Sequence, residues 1–340
     1  VERLRDAGAV IVAKTNMHEV ALGVTGENPW TGDVLNPLEA ARQAGGSSSG
    51  SGAAVAAGIG LASLGTDTGG SIRIPAALCG VVGFKGTHGL VPLDGALALS
   101  PTCDHAGPLA RTVEDARTVF EILSGRPLAA PGPGLLRFAV PWDYLDGWLS
   151  PGVREVFASL LAGLARSAHS LSDASIPDLE LTAEAYTPLV RAEAAFVHRA
   201  ALAAGGEGFS PATLASLEAG AALTAGEYLL SRDRRARVIA GLDAALSQVD
   251  ALLLPATPVV APPRGATEVE VEQGRVPHRA AFLRLTSPFS LAGVPVACLP
   301  IGQLDGLPVG LQVVGRRGED ARVLAVAEAI EGIVRGGSAT

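Results

Sequence analysis

Cysteine is scarce in this 340-residue chain. Its three copies, Cys79, Cys103 and Cys298, are too few and too scattered for a disulfide framework or a metal cluster. They read as reduced thiols in or near the core of a cytoplasmic protein. Long apolar runs are also missing. None approaches the roughly 18 uninterrupted residues of a membrane span, so no membrane partner is expected. Positive charge is in deficit, with a net charge of −8. That balance excludes nucleic acid and anionic membranes as natural partners. The chain shows no internal repeat and no linker long enough to divide it, so a single domain is expected. It also lacks an initial Met and a signal-like start. Val1–Gly8 has the look of the last turns of a helix closed by Gly8, followed by a strand over Ala9–Ala13. A domain rarely opens in mid-helix, and the expectation is a fragment lacking its beginning.

What is present points to a mixed α/β fold. Hydrophobic residues make up 48% of the chain and charged ones 18%, ample for a sizeable core. Buried strands are predicted at Val81–Phe84, Phe138–Val140, Leu252–Leu254, Val296–Leu299 and Val309–Val314. Residues 25–46 are turn-rich, and Ala53–Ser63 is small and apolar all round, as an interior helix would be. Arg111–Gly125 carries Val113, Ala116, Phe120 and Leu123 on one helical face. The stretch from Val153 to about Leu246 reads as mostly helical, and Asp320–Ile330 as a closing helix. Strands at both ends with helices between predict a mixed sheet covered by helices.

Two glycine- and serine-rich clusters hold the chemistry: Gly45–Gly52 (GGSSSGSG) and Gly65–Pro75 (GTDTGGSIRIP). Neither has the Lys that a phosphate-cradling loop needs. A Gly-x-Ser-x-Gly elbow is present around Ser48, but the segment before it, Leu38–Ala44, is not a buried strand. A pair of flexible loops would leave unexplained why Ser71, directly after Thr68-Gly69-Gly70, leads into an apolar, Pro-closed segment. Nucleophilic acyl transfer accounts for it. Consecutive N–H groups around a nucleophilic hydroxyl can stabilise an oxyanion, and glycine allows the close approach this requires. All six His lie outside both clusters, so a second Ser hydroxyl is a candidate proton relay.

The run from Gly45 to Thr87 resembles the amidase signature family. The likeness extends to Leu4–Met17 at one end, and to Gly107–Thr112, Pro288–Pro295 and Gly306–Gln312 toward the other. The match implies an amidase-signature domain over residues 1–335 without its N-terminal part, with a variable helical region at 140–250 shaping the substrate pocket. It implies a Ser–cis-Ser–Lys triad in which Ser71 is the nucleophile. Ser47, 24 residues earlier and preceded by a cis peptide, would be the bridging Ser. Backbone N–H groups of Thr68, Gly69 and Gly70 would form the oxyanion hole. The sequence departs from the family at Gly86, where Pro is usual, and at Ser290, where Asn is common; neither is expected to touch the catalytic positions. The family's general-base Lys lies further upstream of the bridging Ser than the 46 residues available here, and Lys14 matches a different family lysine. The base is therefore expected upstream of the chain, and the chain as given is expected to be impaired.

The resemblance implies an amidase that hydrolyses a carboxamide through an acyl-Ser71 intermediate, with a small-molecule amide as its partner and no cofactor. A homodimer stays open. The alternatives are the glutaminase (A) subunit of a tRNA-dependent amidotransferase, and an inactive fragment. The glutaminase usually has Gln where Ile74 stands, and nothing in 140–250 resembles its pocket segment. Around the site, Asp67 and Arg73 read as a buried brace, with a substrate-carboxylate contact for Arg73 as the sharper alternative. Cys79 reads as core, and His105 beside Asp104 as a loop hydrogen bond ahead of a dyad. Trp142, Tyr144 and Trp148 fit the pocket mouth or ordinary packing equally well.

Overall fold

The computed structural model describes residues 1–128, 132, 134–167 and 169–337. Ten strands form two sheets: β1 Ala62–Asp67, β2 Val82–Lys85, β3 His105–Ala110, β4 Arg137–Val140, β5 Ser170–Asp173, β6 Ala251–Pro255, β7 Glu268–Val271, β8 Gly274–Pro277, β9 Val296–Leu304 and β10 Leu307–Val314. Eight of them make one sheet in the order β1-β3-β2-β9-β10-β6-β4-β5, and β7–β8 is a separate hairpin. Within the large sheet β4 runs parallel to β5 and β6, and the other pairings are antiparallel. The mixed α/β expectation is met.

Side-chain alternation sends neighbouring residues of β9 into different cores. Cys298 joins Ile72, Ala76 and Ala77. Ala297 and Leu299 join Phe120, Phe138 and Val323. The helix Arg73–Cys79 packs on β2, β9 and β10, and Ser49–Ala56 packs beside it. Val113–Ser124 begins where Thr112 Oγ1 accepts from Asp115 N and ends at left-handed Gly125, as its apolar stripe predicts. The region 140–250 is mostly helical, with helices Pro151–Arg166, Thr182–Val197, Arg199–Ala203, Pro211–Ala221 and Ala225–Gln248. No helix among the described residues is long and apolar enough to cross a membrane.

Two expectations fail. The helix read at Ala53–Ser63 instead spans Ser49–Ala56, so it starts inside the first glycine–serine cluster, and β1 takes the residues that follow. Small residues were the right signal for close packing, since a Cβ on Gly52 would lie 3.1 Å from Pro75. Composition alone does not fix where such a helix begins. The strand predicted at Ala9–Ala13 is not formed. Val10 and Val12 are 83% and 72% exposed, and no neighbouring strand pairs with their backbone. Apolar β-branched residues favour a strand only when a partner ladder and a buried face exist.

Candidate active site

The second cluster turns sharply off the end of β1. Asp67, the last residue of that strand, organises the turn with both carboxylate oxygens. Oδ1 accepts from Gly70 N at 2.8 Å, and Oδ2 accepts from Ile72 N at 3.2 Å. Arg73 closes on the same group, with Nε at 3.0 Å from Oδ2 and Nη2 at 2.9 Å from Oδ1. Its other donors reach Thr286 O, Gln312 Oε1 and Ser290 Oγ at 2.7–2.8 Å. Both side chains are fully buried. Desolvation alone would raise the Asp67 pKa, but the charge and hydrogen bonds of Arg73 outweigh it and hold the carboxyl well below the usual range. Arg73 is thus the brace, with its guanidinium fully engaged inside the protein. Ser290 bonds to both members of the pair, so this departure from the family pattern does touch the support of the Ser71 turn.

The brace presents Ser71 at the floor of a small cleft, where the residue is 7% exposed. Thr286 Oγ1 donates to Gly69 O at 2.5 Å, and Thr68 Oγ1 donates to Asp104 Oδ1 at 2.6 Å, fixing the loop from both sides. A Cβ on Gly70 would fall 2.4 Å from Thr286 Oγ1, and Gly70 has φ 138°, so only glycine fits there. The backbone N–H groups of Thr68, Gly69 and Ser71 have no hydrogen-bond partner among the described residues. Gly70 is different. Its N–H is already spent on Asp67, which removes it from the expected oxyanion donors.

The first cluster packs directly against this loop. The Gly46–Ser47 peptide is cis, as expected. Ser48 N donates to Ser71 O at 3.2 Å, while Ser48 Oγ is tied to Thr66 and so is no nucleophile. Ser47 is fully buried, and its Oγ has no hydrogen-bond partner among the described residues. The hydrogen bond expected between the Ser47 and Ser71 hydroxyls is therefore not made. A buried hydroxyl without a partner is costly, at roughly 1–3 kcal/mol. Neither lysine of the chain supplies that partner. Lys14 is exposed. Lys85, at the end of β2, is completely buried, with Nζ on Val294 O and 3.4 Å from both Gly86 O and His105 Nε2.

Lys85 is the titratable residue that the sequence reading passed over; the signal was a lysine ending a buried strand. Burial first, then the like charge of Arg73, lowers its pKa to about 7, against opposing pulls from Asp67 and Asp320. Between about pH 7 and its unfolded value near 10.4, Lys85 is neutral when folded and protonated when unfolded. Unfolding then takes up a proton, so stability rises with pH across that window. Urea unfolding at pH 7 and pH 9.5 should show the folded state gaining up to about 3 kcal/mol at the higher pH. Lys85→Met should flatten that rise, and an unchanged slope in the variant would disprove the assignment.

The remaining candidates resolve into structural roles. His105 Nδ1 lies 2.6 Å from Cys103 O and 3.1 Å from Asp67 O, and Asp104 binds Thr68, Leu99 N and Ser100 N, so the two form no dyad. Cys79 is buried, its thiol pushed up to about 12 by desolvation. Tyr144 and Trp148 stack on Arg284, and Trp142 packs on Phe157. None of the three aromatics lines the Ser71 cleft. Its walls come instead from Ala21–Val24, Leu99, Tyr186, Val190, Arg279 and Leu283.

A buried serine on a Thr-Gly-Gly turn, a second serine cluster packed behind it and a cis Gly–Ser link are the arrangement that the sequence resemblance implied. The model of the amidase family matches residues 1–324. The chain belongs to that family. The A subunit of the glutamyl-tRNA(Gln) amidotransferase from Symbiobacterium thermophilum is 35% identical, over 98% of this chain and 76% of that protein. A fatty acid amide hydrolase of Oryza sativa subsp. japonica is 33% identical, over 97% of this chain and 58% of the relative. A crystal structure described as an amidase superposes with a TM-score of 0.95 at 54% identity, covering 97% of this chain and 76% of that one. The amidase-family fold thus positions the two serine clusters on the β1 edge of the large sheet, with helix Thr182–Val197 contributing Tyr186 and Val190 to the cleft.

Proposed function

We propose that the protein is an amidase whose Ser71 hydroxyl attacks a carboxamide carbon to form an acyl-enzyme that water then hydrolyses. The observation that carries this reading is the placement of Ser71 beside three unpartnered backbone N–H groups, those of Thr68, Gly69 and Ser71 itself. Donors held in place before the reaction stabilise the tetrahedral oxyanion without reorganising at the moment of attack. In this reading the Ser71 proton passes to Ser47 as the hydroxyls close on one another, and from Ser47 to a lysine. In this reading the base lies outside these 340 residues, a view supported by the exposure of Lys14 and by the contact of Lys85 Nζ with Val294 O. A lysine acts as a base near neutral pH only when its surroundings lower its pKa, and the dry setting of Ser47 would do that.

In the chain extended by its upstream coding sequence, a fluorophosphonate probe should label Ser71 and be blocked by Ser71→Ala; labelling at Ser48 would overturn the assignment. The same chain extended by its upstream coding sequence should acylate from an amide several orders of magnitude faster than residues 1–340 alone. Equal rates would place the base inside the chain and make Lys14 the first residue to replace. The amidotransferase reading draws on the names of the 33–35% identical relatives. Against it stand Ile74 in place of Gln and a 140–250 region without the glutaminase's pocket segment. Glutamine hydrolysis that requires partner subunits would favour it over a stand-alone amidase.

A further inference from the structure

The wall of the Ser71 cleft is apolar apart from two side chains on the side facing the nucleophile loop. Tyr186 lies directly over that loop: a Cβ on Gly69 would fall 2.1 Å from its hydroxyl. That hydroxyl makes no hydrogen bond among the described residues. Arg279, in the first turn of the helix His278–Ala292, is the only charged residue on the wall among the described residues. Its one hydrogen bond is from Nη1 to Leu22 O at 3.0 Å. It forms no ion pair among the described residues, in contrast to two other arginines around the site. Arg73 is fully engaged by Asp67 and its neighbours, and Arg284 is clamped on Glu180.

A guanidinium has five N–H donors in a planar fork, so Arg279 retains most of its donor capacity. The residue as a whole is exposed to solvent, yet its guanidinium is crowded by protein. Desolvation, with the like charge of Arg191, lowers its pKa below the ordinary arginine value. The carboxylate bonded to the cleft residue Thr68, that of Asp104, is already held by Thr68, Leu99 and Ser100. A protein with a net charge of −8 therefore keeps an uncompensated cation at the mouth of the cleft that holds its nucleophile.

We propose that Arg279, with the Tyr186 hydroxyl beside it, binds a carboxylate on the acyl part of the substrate. This deepens the amidase reading and rests on Ser71 being the nucleophile. The substrate class is then a short amide that carries its own carboxylate, such as the half-amide of a small dicarboxylic acid. The chain between the two groups is short because Arg279 and Tyr186 line the same small cleft as Ser71. A carboxylate accepts from a guanidinium in a bidentate, charge-assisted way, and so outcompetes the neutral Leu22 carbonyl. The displaced contact belongs to the wall segment Ala21–Val24, which must give way for any acyl group to enter.

The test, on the chain extended by its upstream coding sequence, is protection of Ser71 from fluorophosphonate labelling by two amides of matched size, succinamate and butyramide. It reads binding alone, so it does not depend on how fast either amide is turned over. Succinamate should protect at about ten- to a hundredfold lower concentration, the range of a charge-assisted bond. Arg279→Gln should bring the two amides to within a factor of about three, and Arg279→Lys should keep part of the difference. Equal protection in the unaltered protein overturns the proposal, and so does a preference that survives in Arg279→Gln. Thermal melting of both variants close to the parent's shows that any loss is not unfolding. Absence of labelling at Ser71 in the unaltered extended chain would overturn the nucleophile assignment itself, and with it this proposal.

Discussion

Arg73→Met should cost the folded state about 3–5 kcal/mol, the usual penalty for leaving one member of a buried ion pair behind. The Asp67 carboxylate would remain at the centre of the Ser71 loop with no cation to offset its desolvation. Thr286 O, Gln312 Oε1 and Ser290 Oγ would lose their donor in the same step. Set against a typical total stability of roughly 5–15 kcal/mol, that is about a fifth or more of the whole. Urea unfolding at pH 7 measures it, and a change below about 0.5 kcal/mol would refute the role given to the pair. The double variant Asp67→Asn with Arg73→Met should recover part of the loss, because no uncompensated charge is left. Its Ser71 should nevertheless label poorly. The asparagine side chain in that variant offers one carbonyl oxygen where two carboxylate oxygens now hold Gly70 N and Ile72 N.

The acid side follows from the same pair. Asp67 has a folded pKa depressed below its unfolded value near 3.9. Its contribution is present above that unfolded value and is lost as pH falls through the folded one. The brace should therefore outlast the protonation of ordinary surface carboxylates. The groups that fail first on acidification are others, since His18 and His278, held by burial at about 4, must take up protons in place.

How much of this was legible in the sequence depends on how local the cause was. The helix Val113–Ser124 was readable because its cap, its apolar spacing and its terminal glycine all lie within the segment. The buried strands β2, β6 and β10 were readable because their residues are apolar on both faces. β1 was not, because Ala62–Asp67 is a small-residue strand that exists through its ladder with β3. That the Ser47 and Ser71 segments meet was legible from two motifs, and they pack together through Ser48 N and Ser71 O. The fate of the Gly70 N–H was hidden, because only the folded turn shows that Asp67 claims it. Lys85 and Arg279 were hidden for a different reason. Whether a lysine is dry, or an arginine lacks a carboxylate, depends on elements hundreds of residues apart, such as Val294 beside Lys85 and Leu22 beside Arg279.

Ser47→Ala should move stability and activity in opposite directions, the largest catalytic effect expected here. In the folded chain the Ser47 hydroxyl is buried and makes no hydrogen bond among the described residues. Removing it deletes a desolvated polar group and leaves the backbone contacts of the segment in place, including His18 N to Ser47 O at 3.1 Å. The cavity left by one oxygen is small, so the variant should be as stable as its parent or up to about 1–2 kcal/mol more stable. Amide turnover by the extended chain should fall by roughly a thousandfold or more, because catalytic groups linked in one proton path act as a unit. A merely structural serine predicts something else: lost stability with activity falling only as the fold does. A polar residue kept where it destabilises the fold is the pattern expected of a site selected for function rather than stability. Paired measurements of the urea midpoint and single-turnover acylation separate the two accounts. If Ser47→Ala melts earlier and acylates at the parent's rate, the relay is wrong and the Ser71 proton leaves by another route.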